Sequence, residues 1–324
     1  MKKNISTIAA GTLMALAAVS AASCSDDLDY ELFTKYTYLM DNGWQEEAEM
    51  KIEDDNTVGL SVYFGVNGTT ANKKNITLTL GVDPDTLNSY NFDKYKNDTV
   101  AYYSLLPSDC YSFDKPSYTI PAGQVNSSAV CMIDLEKLRQ HGIYDEYVLP
   151  LQITSSQGEP VGPSAYTKAL YLISLENEYS GTYSGNGNMK QIGTSYTTQV
   201  QGKHLYAISN DQCYIYAGNV DRSTEGGKRF LVNLRFNDDM TVTMAAVHPE
   251  IKLKPISGTY KYKFTENTSD SRKLIRMTTI ELKYEYHDVS DIYQDVDYSY
   301  EATLTKTEDV FRKDYPDAVI DSEE

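Results

Sequence analysis

Apolar and polar residues alternate with a period of two over much of this chain. The first clear run takes every second residue from Val58 to Val66, and it is repeated from Ile76 to Val82 after the turn signal Asn67-Gly68. Such alternation is typical of strands that bury one face. Further strands are predicted at about 118–120, 129–133, 147–154 and 168–175. We therefore expect a β-sandwich over residues 34–176.

Two short helices interrupt these strands. Asp83-Pro84 supplies an N-cap and a first helical residue, which predicts a helix over about 84–96. A second segment, Asp134 to Gln140, predicts one or two helical turns. Trp44 precedes both segments, and a packed core or capping role is favoured for it over a binding platform.

A boundary is expected near Glu176–Glu178, where an apolar strand gives way to a Gly- and Ser-rich segment. Strand-like runs with short polar connections follow, at about 193–201, 203–209, 212–217, 229–236, 240–247, 258–265, 273–286 and 297–307. This succession favours an up-and-down antiparallel barrel or a strongly curled sheet over residues 177–310. Residues 311–324 form an acidic tail.

The N-terminus has the features of an export signal with a lipid attachment site. Lys2 and Lys3 precede an apolar run that is too short to span a bilayer, and small residues lead to Cys24. We expect cleavage of residues 1–23 and acylation of Cys24, followed by a tether over residues 24–33. Multiple acyl chains would anchor the protein durably to a membrane.

The net charge limits the class of ligand that the protein can bind. Cleavage before Cys24 removes two lysines and no acid, so the net charge changes from −17 for the full chain to −19 for the mature chain. A chain this acidic argues against nucleic acid and leaves neutral glycans or basic proteins as ligands.

Beyond Cys24 three cysteines remain, an odd number. The sequence is compatible with one Cys110–Cys131 disulfide and with buried free thiols.

Four short motifs carry a family resemblance. They occur in a fixed order, namely Leu105-Leu106-Pro107, Tyr111-Ser112-Phe113, Thr119-Ile120-Pro121-Ala122-Gly123 and residues 147–153. Over about residues 30–176 the chain resembles the N-terminal β-sandwich domain of Bacteroidetes surface lipoproteins that are encoded beside starch-utilisation-type glycan importers. Residues 281–288 and 298–305 are similar to the lipocalin-like domain that follows it in that family.

The resemblance implies an all-β protein, an Ig-like β-sandwich followed by an antiparallel lipocalin-like β-barrel. It also implies that the acidic residues after Cys24, Ser25-Asp26-Asp27, export the protein to the outer face of the outer membrane. Importer lipoproteins become possible partners. Exported proteins of these bacteria are often O-glycosylated at Asp-Thr followed by an apolar residue, which makes Thr86 and Thr99 candidates.

Motifs for catalysis and cofactors are missing from the sequence. The four histidines form no HxH or HxxxH pair, and no GxSxG, P-loop or GxGxxG occurs. We therefore expect neither an enzyme nor a cofactor. An acidic loop with Asp288, Asp291, Asp295 and Asp297 could hold calcium, but a solvated loop is the favoured interpretation because the spacing matches no known calcium loop.

Tyrosine is abundant, with 28 residues against 8 phenylalanines and one tryptophan. Most of them are expected in sheet faces. Those at strand ends could stack on sugar rings, and the candidates are Tyr214, Tyr216, Tyr284, Tyr286, Tyr298 and Tyr300. Two functions fit: a glycan-binding or accessory lipoprotein of an outer-membrane polysaccharide uptake system, or a structural or adhesive surface protein that engages other proteins.

Overall fold

The structure is a computed structural model that describes residues 31–46, 49–52, 56–224, 226–290 and 295–320. It is nearly all β, with two sheet-built units, and this confirms the predicted fold class. Cys24, the predicted signal peptide and residues 25–30 lie outside the described residues.

The chain divides into two compact units. The first comprises the described residues up to Glu46, with Leu60–Met132 and Glu146–Leu172. The second comprises the described residues of Glu47–Gly59, Ile133–Asp145 and Ile173–Glu324. The sequence pattern predicts a single boundary near residue 176. In the structure, two segments that precede this boundary, Glu47–Gly59 and Ile133–Asp145, belong to the second unit. Backbone pairing accounts for the first segment, because Ile52 N–H donates to the carbonyl of Glu176 at 2.8 Å.

Among the described residues before Gly181, the chain forms twelve strands and three α-helices. The strands are β1 (Thr37–Leu39), β2 (Gly43–Gln45), β3 (Glu49–Lys51), β4 (Thr57–Val66), β5 (Ile76–Val82), β6 (Ser104–Leu105), β7 (Tyr111–Phe113), β8 (Tyr118–Ile120), β9 (Asn126–Asp134), β10 (Tyr147–Gln157), β11 (Lys168–Leu172) and β12 (Ser174–Glu176). The helices are α1 (Pro84–Tyr95), α2 (Leu135–Gly142) and α3 (Ser164–Thr167).

Two sheets form the sandwich. One has the order β1-β4-β9-β7, and the other has the order β2-β11-β10-β5-β8 with β6 beside β10. Alternate residues of β4 from Val58 to Val66 are buried, as the period of two predicts. The rings of Phe64 on β4 and Tyr118 on β8 lie 6.0 Å apart and join the two sheets in one core.

Helix α1 confirms the helix predicted after Asp83. Pro84 is its first residue, where the missing N–H costs nothing. The Asp83 carboxylate does not cap the backbone; its Oδ2 accepts the Thr86 hydroxyl at 2.6 Å and the Lys168 ammonium at 2.6 Å. In α2, by contrast, Asp134 accepts the backbone N–H of Lys137 at 3.0 Å and is a true cap.

In the part of the second unit that the structure describes, nine strands build the main sheet. They are β13 (Gly181–Gln191), β14 (Thr197–Val200), β15 (Lys203–Ser209), β16 (Gln212–Tyr216), β17 (Leu231–Phe236), β18 (Val242–Ala246), β19 (Lys254–Glu266), β20 (Lys273–His287) and β21 (Asp297–Phe311). Their order is β18-β17-β16-β15-β13-β21-β20-β19, with β14 beside β13. The ends of the sheet meet at a bridge between Thr241 and Thr259, which nearly closes a barrel.

Strand β13 crosses the Gly-rich segment that the sequence pattern did not predict as a full strand. It pairs with β21 over eight residues, from Ser184 opposite Thr305 to Gln191 opposite Tyr298. A Cβ atom on Gly185 would collide with the carbonyl oxygen of Thr303. Glycine therefore allows the close approach of the two backbones here.

The C-terminal tail packs against the barrel. Residues Arg312–Asp314 form one 3-10 turn, and Ile320 bridges to Phe264 on β19. The Tyr315 ring lies 5.3 Å from the ring of Phe264. The tail is thus a part of the second unit and contributes side chains to one end of its barrel.

Candidate functional site

A row of aromatic side chains covers the outer face of the hairpin formed by β15 and β16. On β15, Leu205 and Ala207 face the barrel core, and on β16 Cys213 and Ile215 do the same. Because strand residues alternate between faces, the aromatic residues between them point outward. These outward residues are His204, Tyr206, Tyr214 and Tyr216.

The outward rings contact one another. Tyr206 lies opposite Tyr214 in the strand register, and their rings stack at 4.8 Å with 15° between planes. Tyr216 meets both rings edge-on, and the imidazole of His204 lies 4.4 Å from the Tyr206 ring. Tyr144 packs edge-on against Tyr214 at 5.4 Å. Such contacts hold the rings of this aromatic surface in place, most of them steeply inclined to their neighbours.

A cavity of about 330 Å³ adjoins this aromatic surface. Its lining combines two of the tyrosines with charged and polar side chains, chiefly Tyr206, Tyr216, Lys203, Asn219, Asp221 and Arg222. The guanidinium carbon of Arg222 lies 5.9 Å from the centroid of the Tyr206 ring. Aromatic faces beside convergent polar groups are features of small-molecule sites. We call this cavity and its outward rings the β15–β16 site.

The loop after β16 shapes the cavity wall. It leaves the strand at Gly218 in a left-handed conformation with φ of 56°, and a Cβ there would collide with the Tyr286 hydroxyl. Further on, Asp221 Oδ1 accepts the backbone N–H of Ser223 at 2.9 Å and its hydroxyl at 2.7 Å. These bonds lower the pKa of the Asp221 carboxyl, which is therefore charged at neutral pH.

Lys203 is the main electrostatic feature of the cavity. Its ammonium donates to the carbonyl oxygens of Tyr216 and Val220, both at 2.9 Å. Burial lowers the pKa of this side chain to about 8, against a smaller opposing effect of Asp221. Burial also raises the pKa of the Tyr206 hydroxyl to about 12, which keeps it a neutral donor and acceptor at physiological pH.

The predicted tyrosines divide between two environments. Tyr214 and Tyr216 lie on the outward face of β16, where Tyr214 is half-buried and Tyr216 is only 7% exposed. Tyr284, Tyr286 and Tyr300 lie in the barrel core, with exposed fractions of 0%, 3% and 0%. As stacking platforms Tyr216 and these three are a correction to the prediction, because a sugar ring needs an accessible face.

Tyr298 is half-buried and stacks on Tyr286 at 5.7 Å. Each predicted pair does share a face, as the period of two requires. The sequence reasoning missed Lys203, His204, Tyr206 and Arg222. The alternation of His204 and Tyr206 with apolar neighbours was the signal that could have found the first aromatic pair.

The described carboxylates of the acidic loop contact neighbouring side chains and backbone, and Asp295 and Asp297 both approach His287. Asp291 lies outside the described residues. Asp288 accepts the backbone N–H and hydroxyl of Ser290, whereas Asp297 lies 2.9 Å from His287 Nδ1. Among the described acids of this loop, three oxygen atoms do not converge as a metal-ligand group. The solvated loop that the sequence favours therefore stays a prediction.

The remaining predicted residues are two threonines, a tryptophan and three cysteines. Thr86 is half-buried within the Asp83 and Lys168 contacts, whereas Thr99 is exposed in a short 3-10 turn. Trp44 packs flat on Tyr90 at 4.5 Å, in line with a packing role. Among the described residues, no disulfide forms, and Cys110, Cys131 and Cys213 are all buried.

Comparison with known proteins establishes the class of the chain. A family model for an N-terminal domain matches residues 33–160, and the companion C-terminal model matches residues 167–307. The chain therefore belongs to a two-domain Bacteroides protein family of unknown function. A comparison with curated proteins finds no match.

Solved structures from Bacteroides share this fold. One of unknown function from Bacteroides ovatus is 19% identical, with 87% of this chain and 97% of that chain covered and a TM-score of 0.74. Another from the same species is 19% identical, with 86% and 93% covered and a TM-score of 0.71. An auxiliary nutrient binding protein from Bacteroides thetaiotaomicron VPI-5482 is 21% identical, with 84% and 93% covered and a TM-score of 0.71.

At this level of identity the likeness shows the fold alone. In the part of the chain that the structure describes, every helix is too short or too polar to span a bilayer.

Proposed function

We propose that this protein is a cell-surface lipoprotein that binds glycan without catalysis and serves an outer-membrane polysaccharide uptake system as an accessory. The observation that carries the proposal is the stacked pair Tyr206 and Tyr214 beside a polar cavity. Aromatic faces bind sugar rings, and the amide, hydroxyl and charged groups of the cavity can bind sugar hydroxyls. The shared fold with an auxiliary nutrient binding protein supports an accessory role.

The net charge directs the proposal toward glycans of low charge density. A mature chain of −19, reached from −17 by the loss of two lysines, repels densely acidic polymers at low salt. Neutral polysaccharides escape this repulsion. Importer lipoproteins that hold the same polysaccharide are the partners that such an accessory protein would contact.

Glycan binding is tested with the full mature chain made soluble by Cys24→Ala. Affinity electrophoresis against neutral polysaccharides should show retardation, and calorimetry should give its strength. Tyr206→Ala should weaken binding by about 1–3 kcal/mol because the stacked platform is lost. The matched control is Tyr196→Ala, since Tyr196 is 55% exposed and lies outside the site.

Two results would contradict this function. One is the absence of retardation by any glycan. The other is equal weakening by Tyr206→Ala and Tyr196→Ala. Co-purification with another surface protein in place of glycan binding would favour the structural or adhesive alternative.

The proposed anchor is tested separately in cells. Cys24→Ala should abolish incorporation of labelled fatty acid and move the protein from the membrane fraction to the soluble fraction. Replacement of Asp26 and Asp27 by Ala should keep acylation but reduce cleavage by protease added to intact cells. Acylation of the Cys24→Ala protein would contradict the proposed site.

A further inference from the structure

The ammonium of Lys203 is incompletely satisfied. An ammonium has three N–H donors, and two of them reach the carbonyl oxygens of Tyr216 and Val220. Among the described residues, no carboxylate oxygen lies within 4.0 Å of this nitrogen. Partly buried charges are normally paired, because removal from water is costly without a counter-charge.

The nearest acid does not supply that counter-charge by direct contact. Asp221 acts on Lys203 through space, but its Oδ1 is engaged by Ser223 and by the Thr224 hydroxyl at 3.2 Å. Lys203 therefore has two backbone carbonyl acceptors and no directly contacting carboxylate among the described residues.

Lys203 also faces space that a ligand can fill. It lines the 330 Å³ cavity together with Tyr206, whose ring is part of the stacked pair. A cavity of this size accommodates a sugar unit at the low end of ordinary ligand sites. A ring on Tyr206 would bring its substituents toward Lys203, because both side chains line one cavity.

We propose that the β15–β16 site recognises a sugar unit that carries a carboxylate, with Lys203 as the group that binds the carboxylate. A uronic acid is the sugar class with this chemistry. The inference rests on the proposed glycan-binding function and specifies one unit of the ligand. The carboxylate accepts the third N–H of Lys203 as a charge-assisted hydrogen bond and compensates its charge.

This assignment agrees with the acidity of the whole chain. Long-range repulsion is screened beyond about 8 Å at physiological salt, whereas a direct ion pair in the cavity is screened much less. The ligand is therefore a largely neutral polysaccharide with single uronic acid units, for example as side groups. A polymer with a carboxylate on every unit would meet the full repulsion of the protein.

The experiment compares matched ligands by calorimetry on the mature Cys24→Ala chain. The probes are oligosaccharides of glucuronic, galacturonic and mannuronic acid, each beside its carboxyl-reduced neutral counterpart. At least one acid should bind about tenfold more tightly than its neutral counterpart, as expected for a hydrogen bond between charged groups. Lys203→Gln should remove this difference between acid and neutral ligands, because the amide carries no charge to pair with the carboxylate.

Two further variants separate recognition from folding. Lys203→Arg keeps the positive charge and should retain part of the preference for the acid. Lys190→Gln removes an exposed lysine of β13 outside the cavity lining and should change neither affinity. A thermal melt of each variant shows whether it is folded, and Lys203→Arg answers the question if Lys203→Gln does not fold.

The outcomes distinguish this inference from the proposed function. Equal affinity for acid and neutral ligands would overturn the role of Lys203 and leave glycan binding intact. A preference for the acid that survives in Lys203→Gln would also overturn it. Failure of every acid and every neutral ligand to bind would overturn both proposals.

Discussion

Nη2 of Arg276 lies 2.6 Å from Oε1 of Glu308 in the barrel of the second unit. Arg276 is only 2% exposed, although it carries a full charge. A second carboxylate, that of Glu178, also contacts the guanidinium, and the Tyr315 hydroxyl lies 2.5 Å from Nη1. The ring of Tyr262 lies 5.3 Å from the guanidinium carbon. Two carboxylates thus neutralise one buried cation at the end of the barrel that the tail covers.

The paired carboxylates predict non-additive losses of stability. Glu308→Gln or Glu178→Gln alone should cost about 1 kcal/mol, because the remaining carboxylate still compensates Arg276. The double variant should cost about 3–5 kcal/mol, since it leaves a buried charge unpaired. Urea denaturation measures the free energy of unfolding.

The matched control is Glu281→Gln. Glu281 forms an exposed pair with Lys261 at 3.7 Å, and its loss should stay within about 0.5 kcal/mol. Additive effects of the two single substitutions would contradict the shared role of Glu178 and Glu308.

Loss of the hydroxyl should change the free energy of unfolding in opposite directions at two neighbouring core tyrosines. These are Tyr284 and Tyr300, whose ring centroids lie 5.0 Å apart. The Tyr284 hydroxyl accepts the Gly218 N–H at 3.1 Å, whereas the buried Tyr300 hydroxyl has no hydrogen-bond partner among the described residues. Tyr284→Phe should cost about 1–3 kcal/mol because it leaves a buried N–H unsatisfied.

Tyr300→Phe should be neutral or stabilise the protein by up to about 1 kcal/mol, because it removes an unsatisfied buried group. Urea denaturation of both variants gives the comparison. A loss with Tyr300→Phe as large as that with Tyr284→Phe would reveal a partner for the Tyr300 hydroxyl and contradict the prediction.

Burial of thiols and phenols predicts alkaline sensitivity. Burial raises the pKa of Cys131 and of Cys213 to about 12, and it raises the pKa of Tyr284 above its ordinary value. In the unfolded chain these groups ionise near 9.0 for thiols and 10.0 for phenols. Above those values the unfolded state binds fewer protons than the folded state, so the free energy of unfolding falls as pH rises.

The stability from these groups is fully present below about pH 9 and is lost as the pH rises toward 12. Urea denaturation at pH 7, 9, 10 and 11 should show the decline. Cys213→Ala should make the decline shallower between pH 8.5 and 10, because one raised thiol pKa is removed. A flat or rising stability from pH 8 to 11 would contradict this account.

The two candidate glycosylation threonines differ in access. The Thr86 hydroxyl donates to Asp83 at 2.6 Å and accepts from Lys168 at 3.1 Å, whereas Thr99 is exposed. We therefore expect a hexose on Thr99 and none on Thr86 in protein from the native host. Peptide mass spectrometry checks this, with Thr99→Val as the variant that loses the added mass and Thr86→Val as the control that keeps it.

Either an unmodified Thr99 or a modified Thr86 would contradict this prediction. The second outcome would show in addition that the contacts with Asp83 and Lys168 open before modification.

Strand prediction succeeded where local pattern and tertiary packing agree. Val58 to Val66 alternate and bury one face, because β4 faces a core on one side only. Strand β13 was missed because its glycines carry no hydrophobic pattern. Its pairing depends on the approach of Gly185 to Thr303, which are far apart in the chain. The local sequence pattern therefore contains no feature that predicts this contact between the two backbones.

The β15–β16 site shows the same limit for function. Tyr206 and Tyr214 become a stacked pair only through the hairpin register, in which each lies opposite the other. Lys203 becomes a candidate ligand-binding residue only in the tertiary structure, where the loop after β16 brings the Val220 carbonyl to its ammonium. Both relationships depend on backbone geometry that residue types alone do not specify.

By itself the sequence determined that the chain is all-β, with enough strands for two domains. It also determined which tyrosines share a face of a strand. A period of two requires Tyr214 with Tyr216, and Tyr284 with Tyr286, to point the same way. Only the tertiary structure decided which way. Closure of the sheet turned Tyr284 and Tyr286 into the core and left Tyr206 and Tyr214 outside, because alternation is symmetric and the core side is set by the neighbouring strands.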